Sequence, residues 1–145
     1  MRHLQSRAQF QAVMACGILV RSAHFALHWR AASACAQDAA FAAPAAGGAL
    51  ADLLLGPLVP KRWARRSVTR HAIRRQIYAA AQTHEAGLPS GACVVRLRAA
   101  FERRVFISAS SDALKRAVRA ELQQLFAAAC ARLEKPAAAQ NARMP

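Results

Sequence analysis

The 145-residue sequence predicts a single-domain α/β fold, a two-layer sandwich in which a small, mostly antiparallel sheet is packed by helices. Three observations carry that prediction. Apolar residues recur at helical spacing near both ends of the chain, strand-like runs lie between them, and an unbroken basic stretch joins two of those runs. The order reads helix, strand, strand, helix, strand, helix, which makes the basic helix a crossover between strands.

Composition limits the core and names the partner. The apolar share is 55%, yet 38 residues are Ala, so burial must rest on a limited set of Leu, Ile, Val and Phe. Net charge is +14, the sequence pI is about 11.6, and 18 of the 21 basic residues are Arg. The planar guanidinium fork suits phosphate and stacks on bases, so the excess points to nucleic acid. A membrane-binding basic helix presents a bulky apolar face opposite its charge. Such a face is missing here, and no membrane partner is expected.

Taken in order, the first element begins at Ser6, an N-cap residue. Phe10, Val13, Met14 and Gly17 follow at i, i+3, i+4 and i+7, one buried stripe closed by a glycine. The apolar run 12–20 after Arg2 and Arg7 is short and lacks a small-x-small cleavage site, which favours a cytoplasmic amphipathic helix over a signal peptide. In residues 24–30 Phe25, Leu27 and Trp29 alternate with His24, Ala26 and His28, as in a half-buried strand. Residues 31–52, rich in Ala and Gly, read as a hairpin loop or flexible insertion, with a second strand around 39–43 as an option.

Residues 53–59 have the apolar content of a buried strand, but Pro57 and Pro60 lack amide donors, so this strand is expected at an edge or locally bulged. Residues 92–98 form the next strand, and 99–110 are ambiguous between strand and loop. From Ser111 a helix runs to about Leu133 on a stripe of Leu114, Val118, Leu122, Leu125, Phe126 and Ala129. The domain is placed at 1–133 with a disordered tail at 134–145. Cys16, Cys35, Cys93 and Cys130 lie far apart and read as small buried hydrophobes in a reducing compartment.

The basic stretch is 61–78, KRWARRSVTRHAIRRQIY, with Lys or Arg at seven of its first fifteen positions and no Asp or Glu anywhere in 53–84. On a helix from about Ser67, Arg70, His71, Arg74 and Arg75 share one arc, while Val68, Ala72, Ile73, Ala79 and Ala80 share the other. One face docks and the other meets phosphates. The seven acids are scattered, and no nucleophile motif, metal-ligand spacing or glycine-rich phosphate loop occurs, so the chain reads as a binder without a catalytic site of its own.

The run Lys61-Arg62, Arg65-Arg66, Arg70-His71-Ala72-Ile73-Arg74-Arg75 resembles the signature of the protein subunit of bacterial ribonuclease P, which carries Arg-Asn-Arg-(Ile/Leu)-Lys-Arg on a helix. Leu4, Phe10, Val13, Gly17 and Phe25 stand at that family's intervals as well. The resemblance implies a left-handed crossover, against the usual hand. It also implies an RNA partner that cuts the 5′ leader from precursor tRNA, with Mg2+ held by RNA and substrate rather than by protein, and no obligatory protein partner. On this basis Lys61, Arg62, Arg65, Arg66, Arg70, His71, Arg74 and Arg75 would face RNA. Phe10, Met14 and His28 would line a cleft for the single-stranded leader, with core packing as the competing reading for Phe10 and Met14. His71 and Ala72 depart from the pattern, so restoring Arg at 72 is expected to strengthen RNA binding. The alternative function is a diverged, non-catalytic basic RNA-binding protein.

Overall fold

The computed structural model describes residues 1–41, 53–101 and 112–143, with 134–143 described by backbone alone. In order the chain forms β1 (Arg2–His3), α1 (Arg7–Met14), β2 (Ile18–Arg21), β3 (Phe25–Ala31) and α2 (Ala32–Ala36). A short 3-10 turn (Ala39–Phe41) comes next, then β4 (Leu53–Leu58), α3 (Ser67–His84), β5 (Gly91–Leu97) and α4 (Asp112–Arg143). The expectation for 99–110 lies outside the described residues from 102 onward.

Five strands form one sheet in the order β1-β4-β5-β3-β2. β4 lies parallel to both β1 and β5, whereas β3 is antiparallel to both β5 and β2. The sheet is therefore mixed rather than mostly antiparallel. The parallel β4–β5 pair is what requires the crossover, and α3 supplies it. Pro57 is tolerated for a simple reason. The Leu4 amide donates to the Leu55 carbonyl at 2.9 Å, so Leu55 turns its backbone toward β1. Pro57, two residues on, faces the same side, where β1 has ended, and no amide is missed.

Alternation along the strands builds two cores. Leu53, Leu55, Cys93, Val95, Leu97, Phe25 and Leu27 point to one face, where α3 and α4 bury Ile73, Ile77, Leu122 and Phe126 against them. Leu54, Ala92 and Val94 point to the other, beneath Leu4, Val13 and Cys35 with Phe10 and Met14 at the margin. A thin third layer, α1 and α2, thus covers part of the face that a two-layer sandwich would leave open.

Local chemistry accounts for α1. Ser6 Oγ accepts from the Gln9 amide at 3.2 Å while Gln9 Oε1 accepts from the Ser6 amide, a capping box. The helix gives way at Gly17, whose φ of 85° is a left-handed conformation that glycine adopts without strain. Residues 18–21 are then a strand rather than more helix, because Ile18–Arg21 finds ladder partners on β3. Glu121 ties α4 to the β2–β3 turn, accepting from Ser22 Oγ and from the His24 amide (2.8 Å) and pairing with His24 Nδ1 (2.7 Å).

Four further expectations need correction. Residues 39–41 are a 3-10 turn, not a strand, and 42–43 lie outside the described residues. The loop from 31 begins as helix Ala32–Ala36, which Arg30 secures by donating to Ala34 O (3.4 Å) and pairing with Asp38 (3.3 Å). α4 runs to Arg143 instead of ending near Leu133. Ala, Glu, Lys and Gln in that stretch favour helix, and Pro136, which together with the lack of bulk counts against it in sequence, lies within the helix. Cys16 is exposed, unlike buried Cys35 and Cys93.

Candidate nucleic-acid interface

The loop before α3 is built to throw charge outward. The Pro60 carbonyl accepts from the amides of Trp63 and Ala64, both at 3.2 Å, and Trp63 packs half-buried against the main core. The Arg62 guanidinium lies 5.2 Å from the Trp63 ring centroid. With Trp63 and buried Ala64 as anchors, Lys61, Arg62, Arg65 and Arg66 are left exposed.

Arg70 differs from its neighbours. It is half-buried, and its Nη1 donates to Ala64 O (3.1 Å) and Arg65 O (2.7 Å). Its first task is to hold the loop that carries Arg65 and Arg66. The N-cap of α3, Arg66, makes no side-chain capping bond, and the first turn holds no acid. Cations at the positive end of a helix dipole oppose helix formation, and an arriving anion relieves the conflict.

Farther along α3, His71, Arg74 and Arg75 are exposed while Ile73 and Ile77 are buried, as the period predicts. The apolar arc is narrower than expected, since Val68 is 49% exposed and Ala79 is exposed too. Ala72, by contrast, is only 9% exposed. An arginine there would start inside the packing and run its stem out along the helix surface, so position 72 is not a simple vacancy on the phosphate face. Tyr78 packs against His3 with centroids 4.4 Å apart and the rings tilted by 30°; burial raises its phenol pKa, partly opposed by Arg74.

The second surface lies across the sheet. Phe10 rests on Gly56, where an added Cβ would come within 2.7 Å of both the Phe10 ring (Cζ) and Leu4 Cδ1. Only glycine lets the ring settle there. Phe10, Met14 and Leu58 are half-buried and form an apolar margin. His28 is a different case, at 4% exposure. Its Nδ1 lies 2.8 Å from the Gly17 carbonyl, which can only accept, so that nitrogen carries the proton; Nε2 then accepts from Arg96 Nε at 3.4 Å. Burial, followed by the Arg96 charge, depresses the pKa of this imidazole against the raising effect of the Gly17 bond. His28 therefore pins the α1–β2 turn and the Arg96 side chain rather than offering a ring to a base.

Arg96 is the cleft residue that sequence reasoning missed. It stands opposite Leu58 in the β4–β5 register, on the same face as Val94. Its place in an alternating strand was legible, but its neighbours across the sheet were not. Leu58 is also where β4 ends, three residues before Lys61, so the cleft and the basic loop open at one end of the sheet.

An α/β domain with exposed guanidinium groups along its crossover helix, and a margin of soft apolar side chains beside them, defines an RNA-binding protein of the ribonucleoprotein kind. The Ribonuclease P family model matches residues 1–130, and the chain belongs to the ribonuclease P protein family. Its role is that of the protein component of ribonuclease P, within an endoribonuclease complex of tRNA processing. The family match does not favour the alternative of a diverged, non-catalytic basic RNA-binding protein.

Two solved structures share the fold. The Staphylococcus aureus RNase P protein aligns over 89% of this chain and 95% of its own, with a TM-score of 0.62 and 16% identity. A Staphylococcus aureus RNase P protein mutant with defective mRNA degradation activity aligns over 88% and 86%, with a TM-score of 0.59 and 16% identity. No curated protein matches the chain in sequence.

Proposed function

We propose that the chain assists cleavage without performing it, holding the single-stranded 5′ leader of precursor tRNA in the α1–sheet cleft and the RNA subunit along the 61–75 segment. One observation carries this reading: the cleft and the basic loop open at the same end of the sheet, so a leader leaving the cleavage point passes from one to the other. Phe10 and Met14 offer surfaces for bases, for which stacking on an aromatic is worth about 1–3 kcal/mol per base. Arg96, positioned by neutral His28, meets the backbone between them. Lys61, Arg62, Arg65, Arg66, His71, Arg74 and Arg75 meet phosphates of the RNA subunit, and Arg70 holds their loop.

The catalytic Mg2+ belongs, on this reading, to the RNA and substrate. Among the described residues no group of three His, Cys, Asp or Glu side chains converges. Three carboxylates are also engaged elsewhere: Glu121 by Ser22 and His24, Asp38 by Arg30, and Glu85 by the Met1 amino group at 2.8 Å. Among the described residues these carboxylates do not fit a magnesium site. No described helix is long and apolar enough to cross a membrane; a cytoplasmic location is the setting proposed here.

The test is reconstitution with a bacterial ribonuclease P RNA and cleavage of precursor tRNA at low magnesium, with and without the protein. Stimulation is expected for a substrate with a long leader and not for one trimmed to a single leader nucleotide. Equal stimulation of both substrates would remove the leader from the proposal.

A further inference from the structure

The seam between α3 and α4 carries charge that the crossover helix does not account for. The two helices run side by side in the same direction: Gln76 meets Arg119, and eight residues farther on His84 stacks on Phe126 with centroids 5.9 Å apart. Arg116 and Arg119 are three residues apart on α4, on one face and exposed. Arg119 Nε donates to Gln76 Oε1 at 3.0 Å, so its guanidinium is fixed over the seam with one of its five N–H groups used among the described residues. On the α3 side the exposed rim is Val68, Arg75 and Ala79.

Among the described residues, no carboxylate is in ion-pair contact with Arg116 or Arg119. Glu121 lies two positions after Arg119, on the opposite side of α4, and is held by Ser22 and His24. Asp112, the other acid of α4 before residue 134, stands one turn before Arg116 and offsets part of its charge, while Arg119 has no acid one turn away on its face.

We propose that this seam is a second phosphate-binding face, with Arg75 on one rail and Arg116 and Arg119 on the other, and that its partner is a base-paired segment of the RNA subunit. The inference rests on the proposed function only in taking that RNA as the partner. Packed helices lie about 8–10 Å apart, and A-form RNA presents a wide, shallow minor groove bordered by two phosphate strands. Arginines carried by two helices packed side by side can address both strands. Small Val68, Ala72 and Ala79 keep the floor between them low. Arg119 is held in place before binding, which lowers the ordering cost of the contact.

The experiment is direct titration of the RNA subunit with the full chain, without substrate, over a range of potassium chloride. The double variant Arg116→Ala/Arg119→Ala is expected to bind on the order of tenfold more weakly, and its plot of log affinity against log salt should be shallower by about 2. Arg116→Ala alone should lose about 1 in slope while the thermal midpoint stays at the parent value. Unchanged affinity and slope in the double variant would overturn the proposal. So would a loss confined to Arg119→Ala and accompanied by a lower thermal midpoint, because Arg119 would then only clip two helices together. Stimulation of long-leader cleavage reads the cleft instead, so the leader reading can fail while this face stands, or the reverse.

Discussion

The two faces of the sheet use the same alternating strands to different ends. On the α3/α4 face nineteen described residues form one buried cluster, Phe25 and Phe126 among them. On the α1/α2 face only six do, and their neighbours Phe10, Met14 and Leu58 stay half-exposed. Stability resides on the first face. A short helix on the second cannot cover the sheet, and the uncovered margin becomes the cleft. The same α3 that closes the thick core carries the phosphate-facing arginines on its back, so the basic surface has the firmest support in the molecule.

The largest effect should come from the thick face. Phe126→Ala is expected to destabilise the chain by about 3–5 kcal/mol in denaturant unfolding, whereas the cleft residues should leave the midpoint close to the parent. A loss below that of a cleft substitution would break the comparison. Gly56→Ala comes next, because its methyl must push Phe10 and Leu4 aside; overpacking of this kind costs about 1–3 kcal/mol. Phe10 sits at the margin and can swing outward, so the cost belongs at the low end, with a raised KM for long-leader precursor tRNA as the sharper signature.

Arg74→Ala/Arg75→Ala should leave the unfolding midpoint unchanged and make the salt dependence of RNA binding shallower by about 2. Arg70→Ala tests the division of labour inside the basic segment. It should lower the midpoint as well as RNA affinity, since the carbonyls of Ala64 and Arg65 lose their donor, and an unchanged midpoint would return Arg70 to the ordinary phosphate contacts.

The smallest effect is a pH dependence at His28. Its pKa in the fold lies below the ordinary 6.5, so between those two values the unfolded chain binds more protons. The stabilising contribution of the neutral imidazole is full above pH 6.5 and is lost as pH falls through the depressed value. His28→Gln should flatten that part of the stability profile in acid unfolding; an unaltered profile would mean that other groups set it.

Much of this was legible along the chain. Ser6, Phe10, Val13 and Gly17 defined α1 and its end, the alternation in 92–98 defined β5, and the phase of Arg74 and Arg75 against Ile73 and Ile77 defined both faces of α3. The less legible parts share one cause. β1 and β2 are too short to show a period, and they exist because β4 and β3 offer open ladder edges. His28 resembled a cleft ring in sequence, yet Gly17 and Arg96, eleven and 68 positions away, engage both its nitrogens. Arg70 shares a helical arc with Arg74, and only the fold of the preceding loop turns it inward.

What the sequence alone determined is the chemistry of the molecule. Its charge, its Arg-rich crossover helix and the spacing of its apolar residues follow from composition and period, both local properties. The tertiary structure alone decided which of those residues remain available. Whether a charged or aromatic side chain meets solvent or a partner depends on elements distant in sequence. Here the decision turns on where β1 ends, how far α1 covers the sheet, and how α4 lies along α3.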